Sequence, residues 1–560
     1  MDLLIRGGEI VDGTGAAART ADVRVHDGVI TEVGPSLRPD GEREVDASGA
    51  YVTPGFIDIH THFDASLFWD PMCDPMPQHG VTSVLYGNCA LSLAPCRPDR
   101  REELAALLCY IEDLPERVVA QAVPWTWERY PEYQQTMADR QYGVNVAGLV
   151  GHTPLRLYVM GDEAWERAAT DDERRQIAAL ADECLAAGAF GMSTSVGFDE
   201  DRNKRPVPSR LADDAELSAL IDVLADRRRF LQFISDPAPR RTAASVRRVA
   251  ELCGARGLTN TWINVMYDDQ RPELAIGLLD LASELQANGS PCYPQLSPRP
   301  LDIQVNWFGG MSFMSMADSW HRMIQATDAE EKIRLLTDDA WRATARADWD
   351  RVGFTMIRHK LPQNIRLLGV TRPENEVWLN RTFAELIEAK GGHPSDVMAD
   401  WVLANDLRPA VVGTGIGGGD PDGVAPLLTH PAGVIANSDA GAHLKMFCAA
   451  GDSTLLLTRF TRDRGDFTVE QAVHRMTGHL AGLFGFEGRG VVAEGAVADL
   501  NVFSLDELSW EPEVFTSDLP DGALRLRRPA GGYRSTIVAG TPTQHDGTLT
   551  GEHPGRLLRR

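Results

Sequence analysis

The sequence has no excess of basic residues. Of its 560 residues, 55 are Lys or Arg and 80 are Asp or Glu, which gives a net charge of −25 at pH 7. Nucleic acids and anionic lipid surfaces attract Lys and Arg. We therefore expect no nucleic acid and no membrane among the partners, and an acidic, well-solvated surface that favours solubility.

Segments that would direct the chain into a membrane are also missing. Residues 1–8, MDLLIRGG, have no basic flank followed by the apolar stretch of a signal peptide. No run approaches the roughly 20 apolar residues of a membrane span. The eight cysteines show neither a CxxC pair nor the spacing of a disulfide framework. These absences predict a cytoplasmic protein with reduced thiols.

The long middle of the chain alternates strand-like runs with helical runs. This alternation is typical of a parallel sheet with crossover helices. The number of strand candidates is one too many for an eight-stranded barrel, so either 291–296 or 410–415 is expected to lie elsewhere. The candidates are 55–62, 82–88, 144–152, 189–196, 229–235, 259–266, 291–296, 410–415 and 433–439.

Both ends of the chain are rich in short β-like runs joined by turns, with Asp12-Gly13 and Asp27-Gly28 as hairpin signals. The predicted fold class is therefore α/β: a TIM (β/α)8 barrel, a small β-sandwich built from both termini, and an insertion over the barrel mouth. The aromatic residues of the insertion either cover the mouth or fill its own core. The predicted bounds are 1–53 and 481–545 for the sandwich, 54–480 for the barrel, about 297–355 for the insertion and 546–560 for a loosely held tail.

The strongest chemical signal stands at the end of the first candidate barrel strand. Asp58, His60 and His62 alternate along an apolar segment and share one face of the strand. Imidazole nitrogens are common zinc ligands, and functional groups of TIM barrels lie at the C-terminal ends of the strands. The pair predicts a metal centre in a hydrolase barrel. The alternative is two histidines that only make hydrogen bonds.

Three further strand ends carry reactive side chains. Cys89 follows the second strand and is either a zinc ligand as thiolate or a buried structural cysteine. His152 follows the third strand and either contacts substrate or bonds a neighbouring carbonyl. Asp439 closes the last strand, with His443 four residues on; a carboxylate there can bind a metal and carry a proton from water to a leaving amine. Its alternative role is to cap a turn.

Segments throughout the chain resemble the N-acyl-D-amino-acid deacylase (D-aminoacylase) branch of the amidohydrolase superfamily. They include PGFIDIHTH at 54–62, GNCALSLAP at 87–95 and VGHTPLR at 150–156. The resemblance implies a TIM barrel flanked by a small β-sandwich, zinc at the strand ends and hydrolysis of an N-acyl amide. It implies His60, His62 and Asp439 as metal ligands, Asp439 also as the proton-transferring residue, and Cys89 as a ligand of a tightly held zinc. The residues predicted to contact substrate are His152, Arg156, Ser193, Thr194, Asn264, Tyr293 and His443.

One departure from the family pattern is plain. The family has a histidine at the ends of strands five and six, where this sequence has LQFISD at 231–236 and WINVMY at 262–267. No histidine occurs between His152 and His321. We therefore expect a mononuclear zinc amidohydrolase acting on a small-molecule amide, with a second zinc held by other residues as the alternative.

Competing hypotheses are a non-hydrolytic lyase, decarboxylase or cyclase of the same fold, and a metal-poor binding or scaffold protein. Arg156, Arg210 and Arg299 are candidates for binding a substrate carboxylate, and homo-oligomerisation stays open.

Overall fold

The computed structural model describes residues 2–236, 239–263, 265–311, 318–353, 355–435 and 438–560, without the side chains of residues 239, 240 and 416. The N-terminal segment forms strands in which buried residues are mixed with exposed ones, as expected where one face of a sheet packs on a core. These strands are β1 (Leu3–Ile10), β2 (Arg19–His26), β3 (Val29–Gly34), β4 (Arg43–Asp46) and β5 (Tyr51–Pro54).

The next seven strands of the described chain run parallel to one another, each paired with its neighbour in chain order. Their almost continuous burial follows from the helices that cover the outer face and the side chains that fill the inner one. The strands are β6 (Phe56–Asp58), β7 (Val81–Tyr86), β8 (Asn145–Gly151), β9 (Gly191–Ser195), β10 (Phe230–Ile234), β11 (Asn260–Ile263) and β12 (Cys292–Leu296). The helices between them are α1 (Arg101–Ile111), α2 (Glu116–Ala122), α3 (Tyr130–Ala138), α4 (His152–Met160), α5 (Asp171–Ala186), α6 (Asp214–Asp226), α7 (Pro239–Gly254) and α8 (Pro272–Ala287).

A long connection, residues 297–433, follows β12. It contains a small antiparallel sheet in the order β13-β15-β14, so the candidate strand 410–415 belongs here and 291–296 belongs to the parallel sheet. Trp320 packs against Trp341 and Trp349, so these aromatic residues fill the insertion's own core. Phe313 and Met314, two further large apolar residues of the predicted insertion, lie outside the described part of the chain. The elements are β13 (Leu301–Gln304), α9 (Asp318–Gln325), α10 (Ala329–Thr337), α11 (Asp339–Arg351), β14 (Ile365–Gly369), α12 (Phe383–Lys390), α13 (Pro394–Ala404), β15 (Ala410–Ile416) and α14 (Pro421–Thr429).

The eighth strand, β16 (Val434–Ile435), pairs with β12 and completes the parallel sheet, which we call the barrel sheet. The two edges of this sheet are joined by backbone hydrogen bonds. The N–H of Asp439 donates to the oxygen of His60 at 3.0 Å, and the N–H of His62 donates to the oxygen of Ala440 at 2.7 Å. Closure therefore places the segments that carry His60, His62 and Asp439 side by side.

After β16, helices α15 (Asp452–Leu455), α16 (Val469–Met476) and α17 (Gly478–Phe484) lead to the C-terminal strands. In the described chain, β17 pairs with both β5 and β20, so the two termini build one nine-stranded sheet. A two-layer sandwich stays a prediction. The strands are β17 (Leu500–Phe503), β18 (Val514–Thr516), β19 (Arg525–Arg527), β20 (Ser535–Val538), β21 (Thr541–His545) and β22 (Thr548–Leu549).

The last residues correct the prediction of a loosely held tail over 546–560. The N–H of Gly555 donates to the oxygen of Tyr142 at 2.8 Å, and the N–H of Leu558 donates to the oxygen of Val146 at 2.8 Å. The side chain of Leu558 is buried. The tail is held because its backbone pairs along the start of β8. Across the described residues, no helix combines the length and the apolar character that crossing a membrane would require.

Candidate metal centre

Two histidines and one cysteine meet where the first two barrel strands end. The Nε2 atoms of His60 and His62 lie 3.3 Å apart, and Cys89 Sγ lies 3.3 Å and 3.7 Å from them, respectively. All three residues are buried, and among the described residues they form a group whose ligand atoms lie within 4.8 Å of one another. The structure thus brings together the three residues that the sequence suggested as soft metal ligands.

Asp439 approaches the same group from the other edge of the barrel sheet. Its Oδ1 lies 3.1 Å from His62 Nε2 and 3.8 Å from His60 Nε2. Burial would raise the pKa of Asp439, but the hydrogen bond from His62 and the nearby ring charges hold it far below its usual range. Asp439 is therefore a carboxylate at neutral pH.

The backbone around these residues is unusual for L-residues. Cys89 has φ of 59°, Ala90 has φ of 66° and Asp439 has φ of 67°. Left-handed conformations of non-glycine residues cost free energy and are held in place by surrounding structure. Here, Ser193 Oγ donates to the oxygen of Gly87 at 2.6 Å and accepts from the N–H of Ala90 at 3.0 Å. Ser193, predicted to contact substrate, braces the loop that carries Cys89.

Two partners of the histidines were not found from the sequence. His60 Nδ1 lies 2.7 Å from Gln295 Oε1 at the end of β12, and His62 Nδ1 lies 3.2 Å from Glu112 Oε1 just after α1. Gln295 follows from strand-end position once β12 is assigned to the barrel, whereas nothing in the sequence singles out Glu112. Each Nδ1 faces an oxygen, and each Nε2 points at the cluster, which is the orientation that a metal-ligating histidine has.

His60 Nε2, His62 Nε2 and Cys89 Sγ are spaced as three ligands of a tetrahedral divalent ion would be. Bonds of about 2.0 Å to nitrogen or oxygen and about 2.3 Å to one sulfur set the ligand atoms of such a site about 3.3–3.5 Å apart. The separations among His60 Nε2, His62 Nε2 and Cys89 Sγ run from 3.3 to 3.7 Å, and Asp439 Oδ1 lies 3.1 Å and 3.8 Å from the nitrogens of His62 and His60. Burial lowers the pKa of His60 to about 4, so its ring is neutral, as a ligand must be.

Glu112 and His443 stand behind Asp439. His443 Nε2 lies 3.7 Å from Asp439 Oδ2 and 4.0 Å from Glu112 Oε2, and the N–H of His443 donates to the backbone oxygen of Glu112 at 2.5 Å. Burial raises the pKa of Glu112 to about 8 and lowers the pKa of His443 to about 4. His443, predicted to contact substrate, is thus part of the cluster around Asp439.

A cavity of about 90 Å³ opens beside Asp439. Among the three candidate arginines, Arg299 lines it: its Nη2 donates to the oxygen of Ser438 at 2.9 Å and its Nε donates to Asp452 Oδ1 at 3.0 Å. The remaining wall is mostly apolar. The lining residues are Ile263, Val265, Met266, Ser297, Arg299, Leu301, Gly417 and Asp439.

His152, Arg156 and Thr194, also predicted to contact substrate, form a separate buried cluster around Glu216. His152 Nδ1 lies 2.8 Å from Thr194 Oγ1 and His152 Nε2 lies 2.8 Å from Glu216 Oε1. Arg156 donates to Glu216 as well, and to the backbone oxygen of Arg167 at 2.6 Å. All four cluster side chains are buried with protein partners, so this cluster supports the barrel wall.

Tyr293, also predicted to contact substrate, is not brought to the cluster. Tyr293 stands at the start of β12 and is half-buried against a group of apolar residues that includes Phe230 and Phe484. The start of a barrel strand is the end opposite to the functional groups. Asn264 lies outside the described residues.

Comparisons with known proteins agree with this architecture. The sequence model of the amidohydrolase family matches residues 43–544. The D-aminoacylase of Alcaligenes xylosoxydans xylosoxydans is 27% identical, with 100% of this chain and 98% of that protein covered. An uncharacterised protein of Mycobacterium tuberculosis is 30% identical over 96% of this chain and 90% of its own length. The crystal structure of N-acyl-D-glutamate deacylase from Bordetella bronchiseptica, complexed with zinc and a phosphonate inhibitor, superposes with a TM-score of 0.65 at 25% identity and covers both chains fully.

Proposed function

The chain belongs to the amidohydrolase family, and on that premise we propose that it hydrolyses the amide bond of an N-acyl amino acid at a mononuclear metal site. The observation that carries this proposal is the buried group of His60, His62 and Cys89, with Asp439 Oδ1 at 3.1 Å from His62 Nε2. The names of the relatives, a D-aminoacylase and an N-acyl-D-glutamate deacylase, favour this hydrolytic reaction over a lyase, decarboxylase or cyclase. They also give a scaffold role no support.

The proposed ligands are His60 Nε2, His62 Nε2, Cys89 Sγ and Asp439 Oδ1, and the proposed ion is zinc. Thiolate and imidazole ligands suit zinc, and the zinc in the structure of the Bordetella relative agrees with that choice. When bound, the ion supplies a Lewis acid that lowers the pKa of a water molecule towards about 7 and polarises a carbonyl. Gln295 and Glu112 would hold the two imidazoles in the ligand tautomer.

Asp439 is the proposed proton carrier. Its Oδ1 lies against His62 Nε2, while its Oδ2 is the oxygen nearer to His443. As water adds to the carbonyl carbon, Asp439 accepts one of the water protons. The same proton then passes to the nitrogen of the scissile bond, the C–N bond breaks, and an amine and a carboxylic acid leave; the acid then loses its proton to solvent.

The surroundings of the cluster suit an amino-acid substrate. The cavity beside Asp439 has an apolar wall for an acyl chain or side chain, and Arg299 lies within it. We propose Arg299, rather than Arg156 or Arg210, as the group nearest to a substrate carboxylate. Arg156 is fully buried against Glu216, and Arg210 donates to the backbone oxygen of Asp199.

Domain organisation and location are proposed from the sequence. Residues 54–480 would form the catalytic barrel domain, and 1–53 with 481–545 its β-rich companion. The proposed location is the cytoplasm, where the eight cysteines, all unpaired and buried among the described residues, stay reduced. A homo-oligomer is an open proposal.

The experiment that tests the function is a hydrolysis assay of metal-loaded protein on a panel of N-acyl-D- and N-acyl-L-amino acids. Asp439→Asn removes the proton carrier and is expected to lower kcat by about 10²–10⁴-fold, the usual contribution of a general acid–base group. The matched control is Asp172→Asn, which makes the same change on the exposed surface of α5 and keeps wild-type turnover. Absence of any product from the wild type across the panel, with metal bound, would overturn the proposed function.

A further inference from the structure

The side chain of Gln232 carries a hydrogen-bond donor that no described residue accepts. Gln232 lies at the middle of β10 and is fully buried. Its Nε2 has no hydrogen-bond partner. A buried polar group left unpaired lowers the stability of the fold, and most such groups in folded proteins are paired. An orphaned donor at this depth therefore points to a group that arrives with a ligand.

The orientation of this amide is fixed by the backbone. The N–H of Cys89 donates to Gln232 Oε1 at 3.0 Å. A backbone N–H can only donate, so the oxygen of the amide faces Cys89 and the NH₂ group faces the other way. Exchanging the two ends of the amide would set a donor against a donor. Nε2 is therefore the end that remains available.

The donor stands beside the candidate metal centre. The residue that anchors Gln232 is Cys89, whose Sγ lies 3.3 Å from His60 Nε2. β10 also pairs with β11, and Ile263 at the end of β11 lines the cavity that reaches Asp439. The strand that carries Gln232 is thus the neighbour of a strand that lines the space into which a substrate would fit.

We propose that Gln232 Nε2 donates a hydrogen bond to the carbonyl oxygen of the substrate amide as that oxygen becomes negative, which deepens and rests on the proposed amide hydrolysis. When water adds to the carbonyl carbon, the π electron pair of the C=O bond moves to oxygen, and Asp439 takes the water proton. The Nε2–H group stabilises the oxyanion. When the electron pair returns, the C–N bond breaks and the nitrogen leaves with the proton from Asp439.

This proposal gives a role to Gln232 in the fifth barrel strand, at whose end the family has a histidine and this chain has none. An imidazole at that strand end could hold a second cation, whereas a neutral amide is a weak ligand for zinc. An amide can still donate a hydrogen bond to a developing negative charge. Gln232 would supply part of that stabilisation through a preorganised dipole, without a reorganisation cost at the moment of reaction.

Two variants separate the donor from the other roles of Gln232. Gln232→Glu keeps an oxygen for the N–H of Cys89 but removes the donor and adds a charge. Gln232→Met removes the donor and the acceptor without adding a charge. We would measure metal content, kcat and KM on the N-acyl amino acid that the panel identifies, and the dissociation constant of a phosphonate mimic of the tetrahedral intermediate by calorimetry. Gln176→Glu on the exposed surface of α5 is the matched control.

Both variants are expected to lower kcat and to weaken phosphonate binding by about 10²–10³-fold, with metal content unchanged and KM altered only a few-fold. A loss confined to Gln232→Met would show that the residue only positions Cys89, and a loss confined to Gln232→Glu would show a charge effect; either result overturns the proposal. If the wild type binds the phosphonate but hydrolyses nothing, the proposed function fails, and calorimetry on the variants still decides the role of the donor.

Discussion

At the scale of single residues, Glu216 is a negative charge almost fully removed from water. Burial would raise its pKa, but the hydrogen bond from His152 and the charge of Arg156 lower it to about 2 from an ordinary value of 4.5. Its charged form is therefore favoured by folding. The stabilisation is fully present above about pH 4.5 and is lost as the pH falls from there towards 2.

We expect Glu216→Gln to lower the free energy of unfolding by about 3 kcal/mol at pH 7, since it leaves Arg156 buried without a countercharge. At pH 3, the gap between variant and wild type should shrink to about 1.4 kcal/mol, because Glu216 of the unfolded chain is then protonated and the charge of the folded chain stabilises it less. Urea unfolding between pH 3 and 7 measures this. Glu388→Gln, at an exposed position of α12, is the control that stays near wild type. A gap of equal size at pH 3 and 7 would contradict the assignment.

The role of a single residue could be predicted only where the neighbouring sequence carries the pattern that reveals it. His60 and His62 could be predicted because they lie two residues apart, on one face of a strand and at its end. Cys89 and Asp439 follow once the strand ends are assigned. Glu112 and Gln232 gave no such signal, because their importance comes from contacts with residues 50 and 143 positions away. The same limit applies to His152 and Arg156, whose shared partner Glu216 is remote in sequence.

At the scale of elements, the contact between the two edges of the barrel sheet places His62 next to Asp439. Gly441 makes this contact close. It has φ of 90°, and a Cβ there would lie 2.8 Å from the carbonyl carbon of His62 and from the nitrogen of Phe63. These are backbone atoms, so the overlap can be relieved only by moving the segment that carries His62.

Gly441→Ala is expected to weaken metal binding by about 10–100-fold, as disturbed support of a ligand does. Gly465→Ala is the matched control, because Gly465 also has a positive φ, 72°, but its added Cβ would meet open space. Both variants lose similar stability from the strained backbone, and only the first should lose metal affinity. Competition with a chromogenic chelator measures the difference; equal affinities would show that the edge contact does not position His62.

Among the elements, periodicity identified the parallel barrel strands but not the sheet to which each candidate belongs. The segments 291–296 and 410–415 both have the sequence of a buried strand. They differ only in the strands with which they pair, because 410–415 pairs antiparallel with β13 and β14. The end of the inserted segment was also placed too early. Residues 356–433 contain the rest of the small sheet and three helices, α12 to α14, within the same connection.

At the scale of the whole molecule, the family resemblance stated from the motifs is confirmed by the family match over residues 43–544. The sequence also predicted that both termini contribute β-structure, and in the structure β5 and β17 lie side by side. It could not predict that residues 555–558 pair with the chain just before and within β8. Such pairing depends on a backbone edge left open by the rest of the fold.

The most direct test of the account is the metal content of the purified chain, measured by plasma mass spectrometry on the wild type and on His62→Ala. His62 contacts Cys89, Asp439 and Glu112, so we expect its replacement by alanine to abolish metal binding. The account predicts about one zinc per chain in the wild type and close to none in the variant. Two ions per chain, or one ion that survives in His62→Ala, would contradict a mononuclear centre built on these ligands.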